Sequence, residues 1–364
     1  GVEAAITADS IISNPATLGV VSFSGLKSRL QAWSDGASSN YGWVIIINNI
    51  NGWDFDSSEG ATRPVLSVTY VVAGLQTSTA HTVTVDSASD VLDGDASSID
   101  ALLANKGADG LISLREAIWA TNNTTNVNAS TPDVIHFAIG SGAQTINVGS
   151  GGLPYILDAV NIDARTQPGY VATPLITLAG ASATNSTAGL LLRTNYSTIS
   201  GFAIINFSDD GIEIDGSTGY GDNNTVQYNW VGINSSSVAA GNADDGILIS
   251  EDTDNNVIRY NVVGSNTGDG IVIRNTGSTN NWVYGNIVGL AADGVTVRAN
   301  ADNGIHLYGD ASNNLIGSNQ DGSNDAAEAN IVSGNAKSGI AIATTGGGNT
   351  ILGTSRGETI TGTL

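Results

Sequence analysis

The chain contains no cysteine and no methionine, only six prolines, and 12 basic residues against 34 acidic ones. Without cysteine there is no disulfide, no thiolate chemistry and no cysteine-ligated zinc. A formal net charge of −22 would repel a phosphate backbone, so nucleic acid is excluded as a partner. No apolar run approaches the roughly 18 residues that a membrane span needs. A chain that opens on Gly1 reads as a processed or excised piece of a longer one. Its low proline content also argues against an extended proline-rich tail.

Glycine and interleaved apolar residues are what the chain has in quantity. There are 46 glycines, and hydrophobic residues make up 41%. Their strict interleaving with polar ones speaks for short strands and tight turns. From about Val134 onward the pattern repeats. The second position of a corner motif, Asn-Asn in four coils and Gly-Asn in the last, falls at 224, 256, 281, 314 and 349, giving gaps of 32, 25, 33 and 35. A Gly-Ile pair recurs from Gly211, Gly246, Gly270, Gly304 and Gly339, with gaps of 35, 24, 34 and 35. The basic unit is therefore about 24 residues, and the longer gaps insert roughly ten more. Three strands of about five residues with three corners fill such a unit. That is one coil of a parallel β-helix, an all-β solenoid. The alternation places Val226, Ile258, Val283 and Ile316 inward on the first strand of successive coils. It does the same for Val231, Val263 and Val288 on the second strand, and for the Ile212, Ile247, Ile271, Ile305 and Ile340 row on the third.

Three further zones are expected, two upstream of the repeats and one downstream. Residues 1–72, with Trp33, Trp43 and Trp53, read as strands of a partial β-sandwich. Residues 73–125 read as a linker and an N-terminal cap, with a helix opening at Ser113 and closed by a capping box to Glu116. The β-helix then occupies 126–356, and 357–364 reads as the start of a linker or a calcium-repeat-like tail.

Several strings carry a family likeness. "ISLREAIWATNN", followed by "TPDVIHFAIGSGAQTINV" and "STISGFAIINFSDDGIEI", resembles bacterial surface proteins in which a CSLREA-type region leads into a right-handed parallel β-helix. The cysteine of that motif is Ile112 here. "LQAWSDGASSNYGWVI" with "GWDFDSSEG" and "RPVLSVTY" resembles the C-terminal part of a DNRLRE-type β-sandwich. These resemblances imply a secreted or cell-surface bacterial protein. They imply no particular reaction.

For chemistry, the residues offer two sets. Alternation turns Gln227, Trp230, Arg259, Trp282, Tyr284 and Tyr308 outward, a row of rings and hydrogen-bonding groups suited to sugar faces. Asp209, Asp210, Asp244, Asp245 and Asp269 precede the Gly-Ile corners, where Asp favours turn geometry and could also hold Ca2+, the one candidate cofactor. Arg259 and Arg274 are expected on adjacent strands. His81, His136 and His306 are the only histidines, and no nucleophile elbow or phosphate-binding loop is present. The leading expectation is a non-catalytic adhesin or structural module that binds or organises extracellular polysaccharide or neighbouring surface proteins. A lyase or hydrolase acting on acidic glycans is the alternative. A third reading is a filament subunit that self-assembles by strand complementation, with the tail 359–364 as a donor.

Overall fold

The computed structural model describes residues 80–353 except 129, 130, 182 and 184–186. Beyond 353 it describes the backbone of Ser355–Arg356 and Ile360–Gly362. All of these belong to one compact unit, Val72–Leu364. The partial β-sandwich expected over residues 1–72 lies outside the described residues.

Three parallel sheets run the length of this unit. The first has nine strands, from Thr82–Val85 to Thr350–Leu352; the second eight, from Gln144–Asn147 to Ser355–Arg356; the third seven, from Leu190–Leu192 to Ile360–Gly362. From Val160–Asp163 onward each coil contributes one short strand to each sheet, and each strand pairs in parallel with the equivalent strand of the neighbouring coil. Thus Val226, Ile258, Val283 and Ile316 stand in register on the first sheet. Val231, Val263 and Val288 do so on the second. Ile212, Ile247, Ile271, Ile305 and Ile340 do so on the third. All of these side chains are fully buried, and together they form one continuous aliphatic core. The period read from the sequence is therefore the coil. The tail Ile360–Gly362, offered above as a donor strand, pairs in parallel with Ile340–Ile342 of its own chain.

Why the Asn-Asn pairs recur is a matter of backbone and hydrogen bonds. The first Asn of each pair takes a left-handed conformation: Asn223, Asn255, Asn280 and Asn313 have φ between 56° and 59°. Asn adopts this conformation at low cost. The second Asn turns inward and bonds to the next coil. The backbone N–H of Asn224 donates to Asn256 Oδ1 at 2.8 Å, that of Asn256 to Asn281 at 2.9 Å, and that of Asn281 to Asn314 at 2.9 Å. Two more such ladders exist that the sequence period does not single out. One runs through Asn229, Asn261, Asn286 and Asn330, the other through Asn242, Asn266, Asn300 and Asn335. One ladder stands at each corner, so the polar groups left by the turns are paired even though they are buried.

The Gly-Ile rows have a different cause. A Cβ on Gly270 would sit 2.5 Å from the Gly304 carbonyl oxygen and 2.6 Å from Val288 Cγ1. At this corner the backbone of one coil rests directly on the next, and only hydrogen fits.

The N-terminal end is covered by two helices. Leu114–Asn122 has the capping box expected from the sequence: Ser113 Oγ accepts from the Glu116 N–H, and Glu116 Oε2 accepts from the Ser113 N–H. Glu116 is buried, and its other oxygen accepts from the N–H groups of Asp93 and Gly94. Ile112, where the related motif carries cysteine, is a buried core residue. A second helix, Ile99–Ala104, was not anticipated. At six residues its apolar pattern is too short to read, and only the Ser98 cap marks it. Both helices pack against the first strand, Thr82–Val85, at this end of the sheet.

Candidate functional site

The first sheet presents a polar and aromatic row across its outer face. Gln227, Arg259 and Tyr284 stand in register on three successive strands, Thr225–Gln227, Val257–Arg259 and Trp282–Tyr284. Arg259 is held between its neighbours: its Nε donates to Gln227 Oε1 at 2.8 Å and its Nη1 to Tyr284 Oη at 2.8 Å. Trp282, two residues before Tyr284, packs its ring 4.1 Å from the tyrosine centroid and donates its indole N–H to the Gly317 carbonyl at 2.7 Å. Gln227 and Tyr284 face outward from the sheet but are only 8% and 6% exposed, because Arg259 and Trp282 lie over them.

At the edge of this row is a feature that the alternation alone does not select. Tyr228 and Tyr260 follow Gln227 and Arg259 at the corner, and their rings stack with centroids 5.3 Å apart and planes 19° from parallel. Arg165 lies 5.1 Å above the Tyr228 ring, and Tyr260 meets Tyr284 edge-on at 5.4 Å. Both tyrosines occupy left-handed backbone, with φ of 57° and 55°. That conformation costs a bulky residue about 1–2 kcal/mol. The equivalent position in the next coil is Gly285, where a Cβ would strike the Tyr260 ring at 2.5 Å. In the preceding coil it is Gly201, where a Cβ would meet Arg165 Cγ at 2.5 Å. Glycine above and below makes room for the two-ring stack and its arginine. The signal was present in the repeat as "QYN" and "RYN" giving way to "YGN", but it falls at a corner and not on a strand face.

Two of the six outward residues lie elsewhere. Trp230 is on the second sheet, opposite Ala203 and Val262. Tyr308 is on the third, where its hydroxyl accepts from Arg274 Nη1 at 3.1 Å and its ring packs 4.6 Å from His306. Arg259 and Arg274 are likewise on different sheets, the first and the third, contrary to the expectation of adjacent strands. The reason is common to all three: a coil places consecutive strands on different faces, and only residues a whole coil apart become neighbours.

The aspartates gather beside the third sheet. The Asp245 N–H donates to Asp210 Oδ1 at 2.8 Å, the Asp269 N–H to Asp245 Oδ1 at 2.7 Å, and the Asn303 N–H to Asp269 Oδ1 at 2.6 Å. This is a fourth ladder, built from carboxylates. Asp269 Oδ2 also lies 2.8 Å from His306 Nδ1. Of the five aspartates, Asp209, Asp210 and Asp244 bring one oxygen each within 4.8 Å of one another, the one such group among the described residues. Asp245 and Asp269 are engaged in the ladder. Burial, reinforced by Asp245 and Asp209, pushes Asp210 up to about 8. Burial pushes Asp245 up to about 7 and, with Asp215 and Asp209, Glu213 up to about 7. Burial also opposes ionisation of Asp269, but the His306 ring and the Asn303 amides outweigh it and hold this carboxyl below its ordinary value.

Comparison with known proteins agrees with this architecture. Residues 173–321 match the family model described as a right handed beta helix region. The fold is thus a right-handed parallel β-helix. No curated protein matches the chain. Among solved structures, the chain is similar to a double mutant of the periplasmic alginate epimerase AlgG, with 15% identity and a TM-score of 0.31, over 62% of this chain and 44% of that one. It is similar to the same epimerase without those substitutions at 16% identity and a TM-score of 0.31, over 58% and 51%. The chain spans about half the length of these structures. Among the described residues no helix is long and apolar enough to cross a membrane.

Proposed function

We propose that this chain is a secreted or cell-surface module that binds polysaccharide on the first sheet and its Tyr228–Tyr260 corner. The observation that carries this reading is the stacked tyrosine pair in left-handed backbone, seated between glycines and flanked by Arg165 and Arg259. The solenoid does not require it: the equivalent corners at Gly201 and Gly285 are built from glycine. Arg165 and Gly285 cover the outer faces of the stack, so what it offers a sugar is its ring edges and hydroxyls, with guanidinium donors beside them. The likeness of the Ile112–Asn123 stretch to CSLREA-type surface proteins supports the extracellular setting. In affinity electrophoresis against a panel of polysaccharides, the chain should be retarded by at least one of them. Tyr260→Ala and Trp282→Ala should each weaken that retardation about tenfold with the melting temperature little changed. Wild-type affinity in both variants would remove the platform.

A second reading has its own observation. Beside the third sheet, three carboxyls titrate near neutrality close to Arg274 and to a histidine oriented by Asp269. Groups so tuned can take and give protons near pH 7. If that cluster is catalytic, incubation with uronic polysaccharides yields unsaturated product or new reducing ends, and His306→Ala abolishes the yield. A full panel without product eliminates the enzyme.

A further inference from the structure

Arg259 indicates which kind of glycan the first sheet takes; the inference rests on the binding reading above. Among the described residues up to 353, five of the eight lysines and arginines form ion pairs with carboxylates. Among the described arginines, Arg115 is paired with Asp90 at 2.7 Å, Arg165 with Asp163 at 2.8 Å and Arg193 with Asp215 at 2.7 Å. Arg274 lies among the carboxylates of the third sheet. Arg298 donates to the Ser237 and Val297 carbonyls and lies in the field of Asp293.

Arg259 is different. Its two partners, Gln227 and Tyr284, are neutral acceptors in register on either side. Among the described residues no carboxylate lies within ion-pair reach of it. Glu328 is felt at Tyr260, but its carboxylate accepts from the Asn319 N–H, and Asp163 is held by Arg165. Gln227 and Tyr284 therefore orient the guanidinium without neutralising it. They engage two of its five N–H groups, leaving three, including both on Nη2. A fixed, half-buried fork with unused donors beside an aromatic platform fits the two oxygens of a carboxylate.

We infer that the polysaccharide carries a uronic acid, whose carboxylate meets Arg259 while a neighbouring sugar lies against the exposed edge of the Tyr228–Tyr260 pair. The charge balance narrows this further. One free guanidinium in a chain of net charge −22 attracts one carboxylate but repels a dense polyanion. The ligand is accordingly a mainly neutral glycan with scattered uronic acid residues, not a fully charged one.

The test needs no variant to be decisive. Full-length chain is titrated calorimetrically with glucuronoxylan, with the same glucuronoxylan after chemical reduction of its carboxyl groups, and with polygalacturonate. Glucuronoxylan should bind roughly ten- to a hundredfold more tightly than its reduced form, and more tightly than polygalacturonate. Arg259→Gln should lower glucuronoxylan affinity to that of the reduced polymer, while Arg259→Lys should keep part of the preference. Equal affinity for native and reduced polymer, lost together in Tyr260→Ala, would overturn the carboxylate inference and leave the aromatic platform standing. Tighter binding of polygalacturonate would overturn the sparse-charge part. No binding of any of the three, together with no retardation by any member of the wider panel, would overturn both.

Discussion

Replacing Gly270 with alanine should cost about 3 kcal/mol or more, a large effect for a single methyl group. The added carbon would lie 2.5 Å from the Gly304 carbonyl, 2.6 Å from Val288 Cγ1 and 2.8 Å from Asn300 Nδ2. The first obstacle is backbone, which cannot rotate away. The third belongs to an Asn ladder, so yielding there would break a buried hydrogen bond between coils. Strands on both sides are tied in register to this corner, and the strain would spread to the neighbouring coils. Chemical denaturation of the single variant measures this, with Gly294→Ala as the comparison. A Cβ on Gly294 meets nothing within 4 Å, although its φ of 67° adds a smaller strain of its own. Equal losses for the two would refute the close-approach explanation.

The carboxylate ladder makes the opposite kind of prediction, a substitution that stabilises. Asp210 is pushed up to about 8, first by burial and then by Asp245 and Asp209. In the unfolded chain the same group titrates near its ordinary value of 3.8. Between those limits the folded state binds the extra proton, so this group lowers stability progressively as pH rises from about 4 to about 8. Asparagine keeps the oxygen that accepts the Asp245 N–H and carries no charge. The molecule already uses it at Asn303, the fourth position of the same column, which accepts from Ser338 at 3.2 Å. Asp210→Asn should therefore be close to neutral at pH 4 and stabilise increasingly as pH rises, by several kcal/mol (about 5 as an upper bound) at pH 8. Denaturation midpoints at the two pH values decide it. A gain that does not grow with pH would show that the carboxyl is not protonated in the folded chain.

How far the sequence revealed this architecture depends on the kind of information each feature carries. The coil period was legible because Asn224, Asn256, Asn281 and Asn314 answer one local demand, a left-handed residue followed by an inward amide, and the demand is met in adjacent letters. The inward rows were legible because strand alternation has a period of two. The capping box was legible for the same reason, since Ser113 and Glu116 are three residues apart. What could not be read was which residues of different coils meet. Gln227, Arg259 and Tyr284 are 32 and 25 residues apart, and their contact follows only from strand register. The same holds for the proton-holding cluster by the third sheet, which joins Asp210, Asp245 and Arg274 from three coils. The tyrosine stack escaped for another reason. Large aromatic residues are poor candidates for a left-handed corner, so their placement there counts as an exception to the local rule.

The asparagine ladders have an evolutionary consequence. Each rung asks of the coil above only an amide at the right corner, and offers the same to the coil below. A coil is thus a cassette with identical couplings at top and bottom. Whole turns can be gained or lost by recombination with the couplings kept, and the exposed tips of the excursions, such as 236–238 and 292–296, can vary because re-entry is fixed at Asn242 and Asn300. The length of such a solenoid is set by counting cassettes, while the proposed platform is confined to the two that carry tyrosine where the coils on either side carry glycine.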